Sequence, residues 1–337
     1  MKEALPLKLS RSLAEFECGK SLTPGGVLGI RRPYNFVEGE YPIYVTDGQG
    51  CRITDMDGNQ YIDYLCAYGP IILGYREHEV DEAVIAQIKD HGFCFSLTQP
   101  IQNVLAEKLR SLIPSAEMSI FVKPGSDATT LAIRIARGYT QRLKVLRCGY
   151  HGWHDWCVEV KGGVPPKLFE DVLEFHYNDI GELESLLKEH GNDTAAIIIT
   201  PFGHPLAEKL EEPRDNFLQK VRDLADQYGC VLIFDEIRTG FRMSLGGAQA
   251  HYKVKPDISA FGKAMANGYE ISAVVGKQHI MAIDENEVFV SSTFFPNILA
   301  MVAALKTIEI LERDNVLVTS WSRGETLLHD LRTTVEK

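Results

Sequence analysis

The stretch VLIFDE, residues Val231–Glu236, decides the fold of this chain. Its four apolar residues run directly into two neighbouring carboxylates, Asp235 and Glu236. An apolar run that ends in this way is typical of a buried strand, which would deliver Asp235 to the carboxyl edge of a sheet. Open α/β sheets bind their ligands at that edge. Taken alone, an Asp-Glu pair after a strand is also typical of a Mg²⁺ ligand or a helix cap.

The chain around this stretch alternates between strand-like and helical segments from residue 118 onward. Strand-like runs lie at residues 118–122, 144–146, 172–175, 195–199, 230–234, 258–261 and 271–275, and helical patterns lie near 126–141, 181–190, 214–228 and 297–313. Such alternation predicts an α/β fold with a mostly parallel central sheet and helices on both faces.

The segments outside this region are more varied. They comprise an amphipathic helix at 7–20, two or three short strands within 41–64, helices near 78–91 and 101–113, and a helical stretch from 320 to 337. The turn at 55–60 has an Asp-x-Asp-Gly-Asn pattern that hints at calcium, but Gln60 stands where a calcium loop needs glycine. The turn is therefore predicted to close a hairpin.

Composition narrows the class of protein. Apolar residues make up 45% of the 337 and charged residues 24%, as in a globular enzyme, and the net charge of −11 does not favour a nucleic-acid partner. No apolar run is long enough to span a bilayer, and the first twenty residues contain no signal-peptide core. The seven cysteines include no Cys-x-x-Cys pair and favour reduced thiols. A cytoplasmic enzyme without a membrane partner is predicted.

Lys263, which follows 28 positions after Asp235, is the most informative single residue. It lies between an apolar stretch and an Asn-Gly turn, where a lysine is well placed to be desolvated. Desolvation lowers the pKa of a lysine, and its neutral amine can form a Schiff base. A lysine for an aldehyde and an aspartate for a pyridinium nitrogen together suggest pyridoxal 5′-phosphate (PLP). By itself, a lysine near a glycine-containing turn is usually a solvated surface residue.

The segment PGSDATT, residues 124–130, follows a predicted strand and opens a long helix. Backbone N–H groups at a helix N-terminus, beside a glycine and a serine hydroxyl, form an anion site that suits a phosphate. Ser126 and Asp127 could equally well do no more than cap the helix.

An aromatic loop, GYHGWHD at residues 149–155, follows the next predicted strand. Tyr150 could stack on a flat heteroaromatic ring or fill the core beneath the loop. His151 and His154 are three positions apart, but no third ligand of suitable spacing supports a metal site. In the segment SSTFFPN, residues 291–297, a hydroxyl could contact a phosphate or cap the helix that follows.

Taken together, four segments resemble the signature of class III aminotransferases, and most closely the glutamate-1-semialdehyde aminomutase-like branch. They are DEIRTGFR at 235–242, FGK at 261–263, GSDA at 125–128 and GYHG at 149–152. The resemblance runs from about residue 25 to about residue 310. It implies the fold type I PLP fold, PLP as cofactor, small amine and carbonyl substrates, and a homodimer whose active sites lie at the shared interface.

The resemblance also implies roles around the cofactor. Lys263 would be the Schiff-base lysine, and Asp235 would pair with the pyridinium nitrogen. Tyr150 would stack on one face of the ring and Ile237 would pack on the other. Thr293 would reach the phosphate of the neighbouring subunit's cofactor.

Further roles concern the phosphate and the substrate. Gly125 and Ser126 would hold the phosphate. Arg32 would bind a substrate carboxylate bidentately, with Arg31 as an equally plausible neighbour. Tyr68 would line the substrate pocket.

Several positions depart from the aminomutase pattern. The lysine is followed by AMANG at 264–268 instead of a glycine-rich run, residues 237–238 are Ile-Arg instead of Val-Met, and Gly29 replaces an expected serine. These differences favour an aminotransferase over a mutase. In addition, residues 200–201 are Thr-Pro where Glu-Pro is common, and Pro124 replaces a small polar residue.

The resemblance divides the chain into three parts. Residues 1–65 would belong to a small domain, 66–310 to the large PLP-binding domain, and 311–337 to the start of a C-terminal small domain that ends early. The predicted function is amino transfer by a ping-pong mechanism in which Lys263 moves the proton. The alternatives are an aminomutase, another PLP reaction such as racemisation or decarboxylation, and a catalytically incomplete PLP-binding scaffold.

Overall fold

The computed structural model describes residues 7–28, 44–203, 210–283 and 287–335, which fall into two compact units, Met1–His78 and Glu79–Lys337. The first unit contains a helix and a three-stranded antiparallel sheet in the order β1-β2-β3. Its elements are α1 Ser10–Leu22, β1 Val45–Gln49, β2 Arg52–Asp55 and β3 Gln60–Ile62. The short strands predicted within 41–64 are therefore confirmed.

The acidic turn between β2 and β3 is a hairpin, as predicted. The carboxylate of Asp55 accepts the backbone N–H groups of Asp57 at 3.0 Å and Asn59 at 2.8 Å, and the Tyr61 hydroxyl at 2.7 Å. These donors occupy the carboxylate oxygens that a cation would need. The side chain therefore closes the turn instead of binding a metal.

The predicted N-terminal helix exists, but its predicted amphipathic character is wrong. Its buried residues are Ser12 and Gly19, whereas Leu13 and Leu22 are exposed. A Cβ atom at Gly19 would lie 2.7 Å from the Gly26 carbonyl oxygen. The helix packs in its unit through close backbone approach, and an apolar stripe does not hold it.

The second unit is built around a seven-stranded sheet in the order β4-β10-β9-β8-β7-β5-β6. The strands are β4 Met118–Val122, β5 Lys144–Cys148, β6 Val172–Glu174, β7 Thr194–Ile199, β8 Val231–Glu236, β9 Ile258–Phe261 and β10 Ser272–Gly276. Strand β10 is antiparallel to both its neighbours, and the pairs from β9 to β6 are parallel. All seven predicted strands and the mostly parallel sheet are confirmed.

Helices pack on both faces of this sheet, with α4 on one face and α5 and α6 on the other. From residue 78 onward the helices are α2 His78–Asp90, α3 Ile101–Leu112, α4 Gly125–Thr140, α5 Ile180–His190, α6 Phe217–Tyr228, α7 Gly247–Tyr252, α8 Gln278–Met281, α9 Leu299–Arg313 and α10 Val316–Val335. The short helices α7 and α8 were not predicted, because four to six residues leave little periodicity. None of the helices within the described ranges is both long and apolar enough to cross a membrane.

Strand β8 separates two layers of the hydrophobic core. Val231 and Ile233 belong to the cluster that α4 covers, whereas Leu232 and Phe234 belong to the cluster covered by α5 and α6. Burying each of these side chains contributes about 1.5–3 kcal/mol. Because side chains alternate across a strand, Asp235 follows in the series that faces α4. The strand therefore directs this carboxylate towards the start of α4.

Candidate active site

The carboxylate of Asp235, at the end of β8, is 5% exposed and has two protein partners. Its Oδ2 accepts Nδ1–H of the buried His151 at 2.8 Å, and its Oδ1 accepts the N–H of Ile237 at 3.1 Å. Carboxylate lone pairs remain for a further donor. The sequence around His151 suggests only a metal ligand, and no local signal links this residue to an aspartate 84 positions away.

The loop after β5 holds His151 rigidly. Its imidazole lies parallel to the indole of Trp156, with 6.4 Å between the ring centroids. Its carbonyl oxygen accepts the hydroxyl of Thr129, on α4, at 2.6 Å. His154 instead contacts Thr130, with 2.8 Å between Nδ1 and Oγ1. The two histidines therefore have separate hydrogen-bonding partners.

Helix α4 begins at Gly125 behind Pro124, and no side chain caps it at that position. The hypothesis that Ser126 and Asp127 serve as the cap is wrong. Ser126 lies inside the first turn, where its Oγ accepts the N–H of Trp153 at 3.4 Å. The first N–H groups of a helix have no intrahelical acceptor, so this end presents donors to an anion.

Two glycines let other groups approach this helix end closely. A Cβ atom at Gly152, where φ is +118°, would lie 2.5 Å from Oγ of Ser126. One at Gly125 would lie 3.0 Å from Cγ2 of Ile237. A larger residue at either place would fill the space beside the first turn.

Lys263 follows β9 and Gly262, and it has the unusual φ of +44°. Burial lowers the pKa of its amine, the positive charges of Arg238 and Arg242 lower it further, and Asp235 opposes them. The predicted desolvation of Lys263 is thus confirmed. A non-glycine residue held in this backbone region is strained, which is common at functional sites.

Ile237 connects the helix end to the lysine turn. Besides its position beside Gly125, its Cδ1 would lie 3.1 Å from a Cβ atom at Gly262. Tyr150 is 38% exposed. The interpretation of Tyr150 as a core-filling aromatic is therefore wrong, and part of its ring is open to a ligand.

Glu236, beside Asp235, has a structural role. Its buried carboxylate accepts the Thr239 hydroxyl at 2.6 Å and the N–H groups of Ala248 at 2.8 Å and Gln249 at 2.9 Å. Burial raises the pKa of this carboxyl, and the hydrogen bonds oppose the rise. The helix-cap interpretation is correct for Glu236, which fixes the loop from β8 to α7.

That loop carries Arg238, a half-buried guanidinium. Within the described ranges it forms no hydrogen bond or salt bridge, and burial lowers its pKa while Asp235 raises it. From the sequence, Arg238 is a departure from the aminomutase pattern and is interpreted as a loop or interface arginine in preference to a ligand. The positive charge of Arg238 lowers the pKa of Lys263, so Arg238 is a further candidate active-site residue.

The remaining predicted site residues belong to other segments of the chain. Thr293 is exposed in the segment before α9, where Oδ1 of Asn297 accepts the N–H of Leu299 at 3.1 Å and supplies the capping contact. Tyr68 belongs to the first compact unit and has φ of +66°. Arg31 and Arg32 lie outside the described residues.

The group fits the chemical parts of PLP. Helix α4 offers donors to a phosphate, Asp235 offers a buried carboxylate to a ring nitrogen, and Lys263 offers a desolvated amine to an aldehyde. Strands β4, β8 and β9 run in the same direction, so the residues that follow them meet at one edge of the sheet.

Comparisons with known proteins agree with this chemistry. The family model for class-III aminotransferases matches residues 34–337. The 3-aminobutyryl-CoA aminotransferase of Cloacimonas acidaminovorans is 61% identical over 331 residues, which are 98% of this chain and 80% of that protein. The glutamate-1-semialdehyde 2,1-aminomutase of Chloroherpeton thalassium is 39% identical, over 92% of this chain and 74% of that one.

Solved structures give the same result. The FumI protein of Sphingopyxis sp. MTA144, solved in a PLP form, matches with a TM-score of 0.86 at 33% identity. The match covers 90% of this chain and 73% of the FumI chain. An omega-transaminase from Sphaerobacter thermophilus matches with a TM-score of 0.82 at 30% identity, over 89% of this chain and 72% of the transaminase chain. The seven-stranded sheet brings an amine, a carboxylate and a helix N-terminus to one edge, as these relatives would require. The family match and the similarities together show that the chain belongs to the class-III aminotransferases of PLP fold type I and is a PLP-dependent enzyme.

Proposed function

We propose that this aminotransferase acts on the amino group of a β-aminoacyl-CoA thioester of the 3-aminobutyryl-CoA type, with a keto acid as the second substrate. The 61% identity to an enzyme named for that substrate, against 39% to an aminomutase, supports the substrate class. The observation that carries the chemistry is the desolvated Lys263, whose charge Asp235 and Arg238 influence from opposite directions.

Lys263 and Asp235 would have distinct tasks. Lys263 would be the Schiff-base amine that holds the cofactor through its aldehyde, and once free it would carry a proton from the substrate carbon to the carbon that bore the aldehyde. Its lowered pKa suits both tasks, because a neutral amine is needed to attack and to accept a proton. Asp235 would accept a hydrogen bond from the ring nitrogen and keep that nitrogen protonated. When bound, PLP supplies an electron sink for the charge left on the substrate.

Other side chains would position the cofactor. Gly125 and Ser126 hold the phosphate at the start of α4, and Tyr150 and Ile237 lie on the two ring faces. Ile237 is supported in this role because it lies beside both Gly125 and Gly262. Thr293 is exposed in the single chain. That exposure suits its proposed contact with the phosphate of a partner subunit's cofactor.

Arg238 is our candidate for the acyl side of the substrate. A thioester carries no carboxylate at its acyl carbon, so the acyl group needs a hydrogen-bond donor to its carbonyl oxygen. Arg238 has donors without partners in the described ranges and lies within electrostatic reach of Lys263. Arg32 would then bind the carboxylate of the keto acid, and Tyr68 would line the same pocket.

Three further properties belong to the proposal. The enzyme acts as a homodimer with shared active sites, it is cytoplasmic, and its domains follow the division 1–65, 66–310 and 311–337. The half-buried Arg238 and the exposed Thr293 suit a site that a second chain completes.

The test follows the visible absorption of the PLP-loaded protein with separate amino donors. 3-Aminobutyryl-CoA should change the spectrum of the bound cofactor, and a keto acid such as 2-oxoglutarate should restore it. Free 3-aminobutyrate is the matched control, and it should act far more weakly because it lacks the thioester. Conversion of glutamate-1-semialdehyde without any keto acid would instead identify a mutase. A spectrum that no donor changes would refute amino transfer by this chain.

A further inference from the structure

Two buried polar atoms beside the site have no hydrogen-bonding partner among the residues that the structure describes. They are Nε2 of His151 and Oγ1 of Thr200, two of five such side-chain atoms among the described residues. Both residues are almost completely buried, at 1% and 4% exposure. Buried polar groups in folded proteins are nearly always paired, either with protein or with an ordered water molecule. Two unpaired atoms beside one another therefore call for a common explanation.

The Thr200 hydroxyl and the His151 ring both lie close to Gly149, which follows β5. A Cβ atom at Gly149 would lie 2.7 Å from Oγ1 of Thr200 and 3.4 Å from Cε1 of His151. The hydroxyl and the imidazole therefore approach the same point beside the backbone of Gly149. Glycine is required at this position for a second reason, since its φ is +122°. A side chain at this position would crowd the hydroxyl and approach the imidazole.

Thr200 is held in place by the sheet. It directly follows β7, the strand between β5 and β8, and its N–H donates to the Cys148 carbonyl oxygen at 3.2 Å. Its hydroxyl does not reach Nε2 directly, because no bond within 3.5 Å joins them. One water molecule is the group of the right size and chemistry to join a hydroxyl to a ring nitrogen in a buried polar space.

We infer that Thr200 is a positioning residue for Asp235, acting through a buried water molecule that joins its hydroxyl to Nε2 of His151. In neutral histidine one ring nitrogen donates and the other accepts. A water that donates to Nε2 leaves the ring proton on Nδ1, where it donates to Oδ2 of Asp235. The tautomer of a histidine is set in this way by the hydrogen bond at its other nitrogen.

The consequence for the site is a carboxylate with one orientation. If the proton moved to Nε2, the Nδ1 lone pair would face the Asp235 carboxylate, and the 2.8 Å contact would become repulsive. The chain Thr200–water–His151–Asp235 prevents this outcome. The importance of this relay for catalysis rests on the proposed role of Asp235, but its existence is a property of the protein without substrate.

The first measurement is therefore made on the protein rather than on its activity. In a high-resolution crystal structure, a water molecule should lie within about 3.2 Å of both Nε2 of His151 and Oγ1 of Thr200. Proton NMR should show a slowly exchanging Nδ1–H signal, assigned by its loss in His151→Gln. Thr200→Val, which removes the hydroxyl and keeps the shape, should broaden or abolish that signal, and Thr200→Ser should keep it.

Thr307→Val is the matched control, because Thr307 has another buried hydroxyl without a partner and lies on α9. It should leave the Nδ1–H signal intact. In turnover, Thr200→Val should lower kcat about tenfold with little change in KM, and Thr200→Ser should restore it. A persistent signal in Thr200→Val, or density that places a protein atom against Nε2, would overturn the inference. The crystal structure of the unaltered protein decides the matter if Thr200→Val does not fold. Should the water and signal be found without any amino transfer, the relay would stand and the proposed function would fail.

Discussion

His151 donates Nδ1–H to Oδ2 of Asp235 at 2.8 Å, and this bond joins two residues that are 84 positions apart. His151 lies in the loop after β5 and Asp235 lies at the end of β8, with β7 between these strands in the sheet. The bond therefore spans the carboxyl edge of three neighbouring parallel strands. It places the buried carboxylate in a single orientation before any ligand is bound.

Replacement of Lys263 by alanine should abolish turnover and leave non-covalent PLP binding, because the variant lacks the amine proposed to bond to the cofactor. Borohydride treatment followed by mass spectrometry should detect a PLP adduct on the original chain and none on Lys263→Ala. Lys123→Ala is a matched control, since burial lowers the pKa of Lys123 as well and it lies directly before Pro124 and helix α4. An adduct that survives in Lys263→Ala but disappears in Lys123→Ala would reassign the lysine.

Replacement of Asp235 by asparagine should lower kcat by about 10²–10³, the usual cost of removing one preorganised electrostatic partner. The ring nitrogen would lose its charged acceptor, and His151 would lose its carboxylate. The absorption of bound PLP and steady-state kinetics measure the effect. His151→Gln should have a smaller effect in the same assays, because it removes only the orientation of the carboxylate. Equal activity of Asp235→Asn and the original chain would remove Asp235 from the site.

The rate at which PLP bonds to the PLP-free protein should rise with pH. The pH at which this rate is half its maximum should lie below the ordinary lysine pKa of about 10.4. Burial and then Arg238 lower the pKa of Lys263, so the reactive neutral amine is present at lower pH than in a solvated lysine. Stopped-flow absorbance across pH measures the midpoint. Arg238→Gln should move this midpoint to higher pH, because the variant loses the positive charge that lowers the pKa of Lys263. The midpoint should still lie below that of a solvated lysine, because Lys263 stays buried. An unchanged or lower midpoint in that variant would contradict the electrostatic role of Arg238.

Gly152→Ala should weaken PLP binding and destabilise the fold by about 1–3 kcal/mol. The new Cβ atom would lie 2.5 Å from Oγ of Ser126, on a backbone with φ of +118°. Gly163→Ala separates the two causes, because φ there is +83° but nothing lies within 4 Å. Thermal unfolding and PLP titration should therefore show a purely conformational cost at Gly163. Equal PLP affinity in both variants would mean that the space beside Ser126 is not used by the phosphate.

Glu236→Ala should destabilise the protein by about 2–4 kcal/mol, because it leaves the buried N–H groups of Ala248 and Gln249 and the Thr239 hydroxyl without an acceptor. Denaturant unfolding measures the change. Glu236→Gln retains one oxygen and should lose less. A loss below 1 kcal/mol in Glu236→Ala would show that the loop finds other partners.

The sheet was predictable because strand burial leaves a local signal. The apolar residues of Val231–Glu236 are consecutive because alternate side chains pack in the two core layers on either face of the sheet. One short segment of sequence therefore indicates burial on both faces. The first helix shows the limit of this logic. Its position was predictable, but the contact of Gly19 with the backbone at Gly26 depends on how the chain returns, and no periodicity records that contact.

By itself the sequence determined the alternation of strands and helices, the carboxylate at the end of β8 and the lysine after β9, since each depends on neighbours within a few positions. Only the tertiary structure decided that His151 meets Asp235, that Glu236 caps α7, and that Arg238 lies close enough to influence Lys263. Hydrogen bonds and desolvation depend on distances in space. Residues that are 84 positions apart acquire such a distance only when the sheet brings the ends of their strands together.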